Sequence, residues 1–242
     1  MSITYRRITA DDVVLAAAPM FHVVGMQAGM NAGIAQGATL VILPRWDREL
    51  AGRVIARHAV THWTCIPTMI IDLFASPNYR SFNLSSLKYL SGGGAAMPQA
   101  VAQRLIDEFG ITFAEGYGLT ETAAPSHGNP PERAKLQCLG MPLFGVDARV
   151  VDPTTLTELP PGQTGEIIVH GPQVMRGYWN QPAASEQAFV TIDGKRFLRT
   201  GDVGRFDEDG FLILMDRRKD MIISGGFNIY PRDLEAVLRA HA

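Results

Sequence analysis

The tract from Glu115 to Glu121 reads EGYGLTE, which brings an aromatic ring, two glycines, a hydroxyl and a carboxylate into one short stretch. Those types at that spacing suit a nucleotide cradle. Tyr117 can offer a ring face to a purine, and Gly116 and Gly118 let the backbone come close to a ligand. Thr120 can donate to a phosphate oxygen, and Glu121 can hold a hard cation such as Mg2+. The same letters also describe a helix start, with Thr120 as N-cap and Glu121 favoured by the first-turn dipole. The tract by itself leaves both readings open.

Four further segments fall in order around it: Pro19-Met-Phe-His22 and Ser91-Gly-Gly-Gly-Ala-Ala-Met-Pro98 upstream, then Arg199-Thr-Gly-Asp202 and the run from Asp216 to Pro231 downstream. Asp202 has two acceptor oxygens that suit a vicinal diol, or it is a turn Asp bonding its own backbone. DRRKD, from Asp216 to Asp220, reads equally as a solvated charge run. In order, spacing and residue type, the five segments resemble the adenylate-forming superfamily, which includes acyl-CoA synthetases, firefly luciferase and peptide-synthetase adenylation domains. The resemblance runs from about Asp12 to the end of the chain.

The resemblance implies a set of roles. Gly94, Ala95 and Ala96 match positions along the adenine and the acyl-phosphate, with Glu115, Gly116, Tyr117 and Gly118 completing that wall. Tyr117 matches the adenine stack, Thr120 the phosphate contact and Glu121 the Mg2+ ligand. Asp202 matches the ribose-gripping carboxylate, Arg217 a second ribose contact and Leu214 an apolar position against the nucleotide. His22 matches the residue guarding the acyl-phosphate, Lys219 the hinge, and Gly225 and Gly226 the pantetheine tunnel. The implied chemistry joins a carboxylic acid to ATP, releasing pyrophosphate, and then passes the acyl group to coenzyme A with release of AMP. PMFHVVG carries no carboxylate to hold an amino acid's ammonium, which favours a simple acid, fatty or aryl, in a pocket near Met26, Thr68, Gly93 and His127. Two departures, Asp216 before Arg217 and Ala96 where many relatives have Pro, are mild.

The family's TSGTTGxPKG-like loop has no counterpart before Pro19, and the last lysine is Lys219, so the chain reads as a central segment unable to run either half-reaction alone. The competing readings are a noncatalytic nucleotide-binding or scaffolding module and a luciferase-like oxygenase. Affinity for ATP as isolated, and light emission with an adenylated luciferin, would separate them.

The elements that must position these groups fall into two textures. From Asp12 to about Pro125, short apolar runs (VVLAAAPM, TLVIL, THWTCIP, LKYLSGG, ITFAEGYG) alternate with helical stretches (GMQAGMNAGIAQG, ELAGRVIARH, TMIIDLFA, PQAVAQRLIDEFG), the pattern of a parallel sheet covered on both faces. From about Leu139 the chain turns to short strands with Pro/Gly turns, the pattern of an antiparallel barrel or sandwich. Asp207 to Gly210 reads as a hairpin turn, and Pro231 as a helix start. The expected class is therefore α/β, with a flavodoxin-like subdomain over 1–125, a distorted β-barrel over 126–216 and the start of a small C-terminal domain over 217–242.

Composition agrees. The chain has 242 residues, 46% hydrophobic and 19% charged, with a formal net charge of -2 and a pI near 6.3, so nothing draws it to nucleic acid or anionic lipid. Cys65 and Cys138 stand apart, without metal or disulfide spacing. No apolar run is long enough for a membrane span and no signal peptide opens the chain; the expectation is a cytoplasmic protein that self-associates through exposed apolar surface.

Overall fold

The computed structural model describes residues 7–94, 97–217, 222–224, 227–229 and 231. The chain divides into two compact units, Met1–Phe144 and Gly145–Ala242.

The first unit is built on a seven-stranded sheet. Its strands are β1 (Val13–Ala16), β2 (Thr39–Ile42), β3 (His62–Cys65), β4 (Tyr89–Gly92), β5 (Ala114–Leu119), β6 (Ala124–Gly128) and β7 (Met141–Pro142), ordered β2-β1-β3-β4-β5-β6-β7. The first five are parallel, in the flavodoxin-like order, and β6 and β7 add on antiparallel. All four residues of β3 are buried, which is why HWTC shows no alternation of polar and apolar positions.

The connecting helices obey local rules. Helix α1 starts as a π-helix, Val24–Asn31, continues as an α-helix, Ala32–Gln36, and ends on Gly37 in the left-handed region. Asp47 caps α2 (Arg48–His58) by accepting the Leu50 amide at 2.7 Å. Pro67 opens α3 (Pro67–Phe74), and Pro98 precedes α4 (Gln99–Phe109), which stops at left-handed Gly110. The core beneath holds Leu15, Ile55, Trp63, Ile70, Leu90 and Phe113, with Trp63 stacked on Trp46 at 5.5 Å.

The second unit is a curled antiparallel half-barrel. Strands β8 (Asp147–Val151), β9 (Gly165–His170), β10 (Phe189–Ile192) and β11 (Lys195–Phe206) run in the order β10-β11-β9-β8, with β12 (Leu212–Arg217) on β11. Its core centres on Val151, Ile168 and Phe197. Asp193 and Gly194, both at positive φ, make the tight turn from β10 to β11. Asp207 makes the next one, accepting the Asp209 and Phe211 amides at 3.0 and 2.9 Å. β13 (Ile222–Ser224) and β14 (Phe227–Ile229) pair antiparallel as a separate two-stranded sheet. The helix expected after Pro231 lies outside the described residues.

Candidate active site

In the first unit the candidate residues follow the carboxyl ends of parallel strands, where ligands of such sheets bind. His22 follows β1 in a turn: its Nδ1 accepts the Val24 amide at 3.2 Å, its carbonyl accepts the Met26 amide at 2.9 Å, and the side chain is exposed. Thr68 lies in the first turn of α3, just past β3. Gly93 and Gly94 follow β4, and Gly116 to Thr122 carry β5 into its turn.

Two glycines at the end of β4 fit a backbone packed too closely for side chains. A Cβ on Gly92 would lie 1.9 Å from the Cys65 carbonyl oxygen, and one on Gly93 would lie 2.5 Å from that of Gly116. Gly94, at φ +82°, has open space where its Cβ would be, so its requirement is conformational. The loop is then fastened at Met97: the buried Glu115 carboxylate accepts the Met97 amide at 3.3 Å, and Gln137 donates to the Met97 carbonyl at 2.7 Å. Glu115 thus holds the loop from beneath, and Gln137 has a part that nothing in the sequence signalled. Ala95 and Ala96 lie outside the described residues.

Tyr117 and Glu115 share one face of β5 and are buried, with Tyr117 8% exposed. The Tyr117 ring meets the His127 imidazole edge to face at 5.6 Å. His127 is fully buried and its Nδ1 lies 2.9 Å from the Ser126 hydroxyl; burial pushes its pKa down to about 3, so it is neutral at ordinary pH.

The helix start expected after Leu119 is a single 3-10 turn, Thr120–Thr122. Its cap is Thr122, whose hydroxyl bonds the Leu119 amide and carbonyl, both at 2.9 Å. Thr120 takes no part in that capping and is exposed, beside a half-buried Glu121. Among the described residues no group of three or more His, Cys, Asp or Glu side chains is arranged to hold a metal ion. A single carboxylate in a turn fits Mg2+, which keeps waters and substrate phosphates as its other ligands.

In the second unit Asp202 lies inside β11 rather than in a turn. β11 pairs with β9 at Arg199↔Ile168 and resumes at Val203↔Glu166, so the intervening Thr200, Gly201 and Asp202 form a bulge. Gly201 is at φ +72°. The Thr200 hydroxyl accepts the Asp202 amide at 3.1 Å and donates to the Ile167 carbonyl at 2.7 Å. Asp202, 4% exposed, stands opposite Arg217 in the β11–β12 register, and half-buried Leu214 stands opposite Gly204. Of Arg217 the backbone position alone is described; Lys219, Gly225 and Gly226 lie outside the described residues.

With that geometry in place, comparison with known proteins gives the class. The family model described as AMP-binding enzyme matches residues 1–179. The chain is 41% identical over 229 residues to a long-chain-fatty-acid–CoA ligase of Bacillus subtilis, covering 94% of this chain and 40% of the relative. It is 38% identical over 231 residues to a feruloyl-CoA synthase of an Amycolatopsis species, covering 94% and 46%. Among solved structures, the O-succinylbenzoate coenzyme A synthetase of Bacillus subtilis in complex with ATP and magnesium ion matches at TM-score 0.87 and 34% identity, covering 99% of this chain and 48% of that one. The chain belongs to the AMP-binding, adenylate-forming enzyme family, whose matched relatives are acyl-CoA and aryl-CoA ligases. It spans less than half the length of these relatives, and among the described residues no helix is long and apolar enough to cross a membrane.

Proposed function

We propose that this chain supplies nucleotide-binding residues to an ATP-dependent, AMP-forming acid–thiol ligase. An oxygen of the substrate carboxylate attacks the α-phosphorus of ATP, the bond to the β-phosphate breaks, and pyrophosphate leaves. The sulfur of coenzyme A then attacks the acyl carbonyl, the mixed anhydride opens and AMP departs with the bonding pair. Such transfers depend on alignment and charge neutralisation.

In this reading Gly94, Ala95, Ala96 and the wall from Glu115 to Gly118 bring small residues and backbone against the adenylate, with Tyr117 against the base. Thr120 donates to a phosphate oxygen, and Glu121 would hold Mg2+, which when bound neutralises phosphate charge. Asp202 accepts both ribose hydroxyls, Arg217 adds a cation nearby and Leu214 an apolar contact. His22 guards the acyl-phosphate, Lys219 is the hinge, and Gly225 and Gly226 admit pantetheine. Met26, Thr68, Gly93 and the neutral His127 belong to the acid pocket; the named relatives act on both fatty and aryl acids, and the substrate proposed is a simple carboxylic acid of one of these two kinds.

The observation that carries the reading is the β11 bulge, which seats a buried carboxylate opposite an arginine position in a chain of this family. The test is carboxylate-dependent ATP–pyrophosphate exchange by the full-length protein. Asp202→Ala should reduce exchange at least 100-fold, since two hydrogen bonds to a charged group contribute about 3 kcal/mol or more together. Full exchange in that variant would refute the assignment. The 242-residue chain alone is expected to give no exchange, because it carries neither the Ser/Thr/Gly-rich lysine loop nor a lysine after Lys219.

A further inference from the structure

The two residues that bracket the β11 bulge, Arg199 and Val203, pair with Ile168 and Glu166 of β9. The Arg199 side chain reaches back across that base to Glu166: Nε donates to Oε1 at 3.2 Å and Nη2 donates to Oε2, a bidentate pair. Nη2 also donates to the Pro153 carbonyl at 3.3 Å. Glu166 is 3% exposed, and the pair holds the Arg199 guanidinium above its ordinary pKa. With Glu166 buried and the Arg199 side chain 27% exposed, the pair is weak evidence for stability, because desolvation of the carboxylate offsets its attraction. Its place is more telling: it ties together the two ends of a three-residue bulge whose last residue is Asp202. Thr200 ties the middle of the same bulge to Ile167. Three side chains therefore converge on the backbone that carries one buried carboxylate.

We propose that Glu166 and Arg199, with Thr200, are positioning residues that fix the Asp202 carboxylate for the ribose diol. They touch no substrate and act through the bulge. The inference rests on the ribose role of Asp202, and the experiment separates the two. The full-length protein is titrated with ATP and with 2′,3′-dideoxy-ATP, which lacks the diol. Wild type should prefer ATP. Asp202→Asn should abolish the preference; if it does not, the ribose role fails and the positioning role with it.

Given that loss, Glu166→Gln and Thr200→Val should each lower ATP affinity about tenfold, the scale of one hydrogen bond to a charged group, and leave dideoxy-ATP binding unchanged. The double variant Glu166→Leu/Arg199→Met, which removes both charges and spares the fold, should behave in the same way. Retention of the wild-type preference in these variants would overturn the proposal, as would equal loss of both nucleotides.

Discussion

The two ends of the parallel sheet are built from opposite materials. At the amino ends of β1 and β3, polar side chains close on the buried Asp12: its carboxylate accepts the Thr9 amide and hydroxyl, each at 2.9 Å, and the hydroxyl of buried Thr61 at 3.0 Å, with His62 Nδ1 3.5 Å away. At the carboxyl ends of β4 and β5 the chain presents Gly92, Gly93, Gly94, Gly116 and Gly118, held by bonds to their neighbours rather than by their own side chains. One end spends its polar groups on the fold. The other presents backbone and the exposed Thr120 hydroxyl, which the proposed function assigns to the nucleotide. A variant at the first end should therefore change stability alone, whereas one at the second should change binding or, where packing is tightest, both.

The largest effect is expected at the packed end of β4. Gly92→Ala forces a Cβ against the Cys65 carbonyl and the Phe113 ring, and should cost about 3 kcal/mol of unfolding free energy by urea titration; a loss below about 1 kcal/mol would mean that the loop is less closely packed than described. Asp12→Ala should cost about 2 kcal/mol while nucleotide affinity stays at the wild-type value, and a parallel fall in affinity would break the contrast between the two ends. Burial pushes the Asp12 carboxyl up, but hydrogen bonds from Thr9 and Thr61 hold it below the usual range. Its contribution is thus present above its unfolded pKa near 4 and is lost as pH falls through the lower folded value.

His127 titrates in a different window. Folded, its pKa sits near 3; unfolded, it takes up a proton near 6.5. The unfolded chain therefore binds more protons between those values, so stability is complete above pH 6.5 and falls toward pH 3 by up to about 1.4 kcal/mol per pH unit. His127→Gln should flatten that slope between pH 6 and 4, as read from urea midpoints; an unchanged slope would place the acid sensitivity elsewhere. The smallest effect separates neighbours in one turn. Thr122→Val should lower stability by about 1 kcal/mol through loss of the cap, while Thr120→Val should leave stability unchanged and reduce pyrophosphate exchange.

The alternation of apolar and helical stretches made the parallel half legible, because sheet and helix periods differ and Pro67, Pro98, Gly37 and Gly110 mark helix ends. β6 was not legible: APSHG contains Pro125, which is tolerated because the β5–β6 register shifts between Tyr117 and Gly118. The Asp193-Gly194 turn carries its own local signal, an Asp-Gly pair between two strands. At the site, residue types were visible but their local roles were not. Thr120 and Thr122 are both hydroxyls near a helix-like start, and only backbone geometry decides which one caps. Arg-Thr-Gly-Asp reads as a turn because Gly201 needs positive φ, yet a long strand absorbs it as a bulge once Glu166, far away in sequence, supplies the tie. Long-range pairing of that kind leaves no local pattern.

In the proposed function the strand-end loops and the β11 bulge each contact the nucleotide, and the amino ends of the strands do not. Amide hydrogen exchange on the full-length protein, with and without saturating AMP, tests it most directly. Exchange should slow at Gly118 to Thr122 and at Thr200 to Val203 and stay unchanged at Thr9 to Val13 and Thr61 to His62. Slowing at the Asp12 end, or no change in either candidate segment, would contradict it.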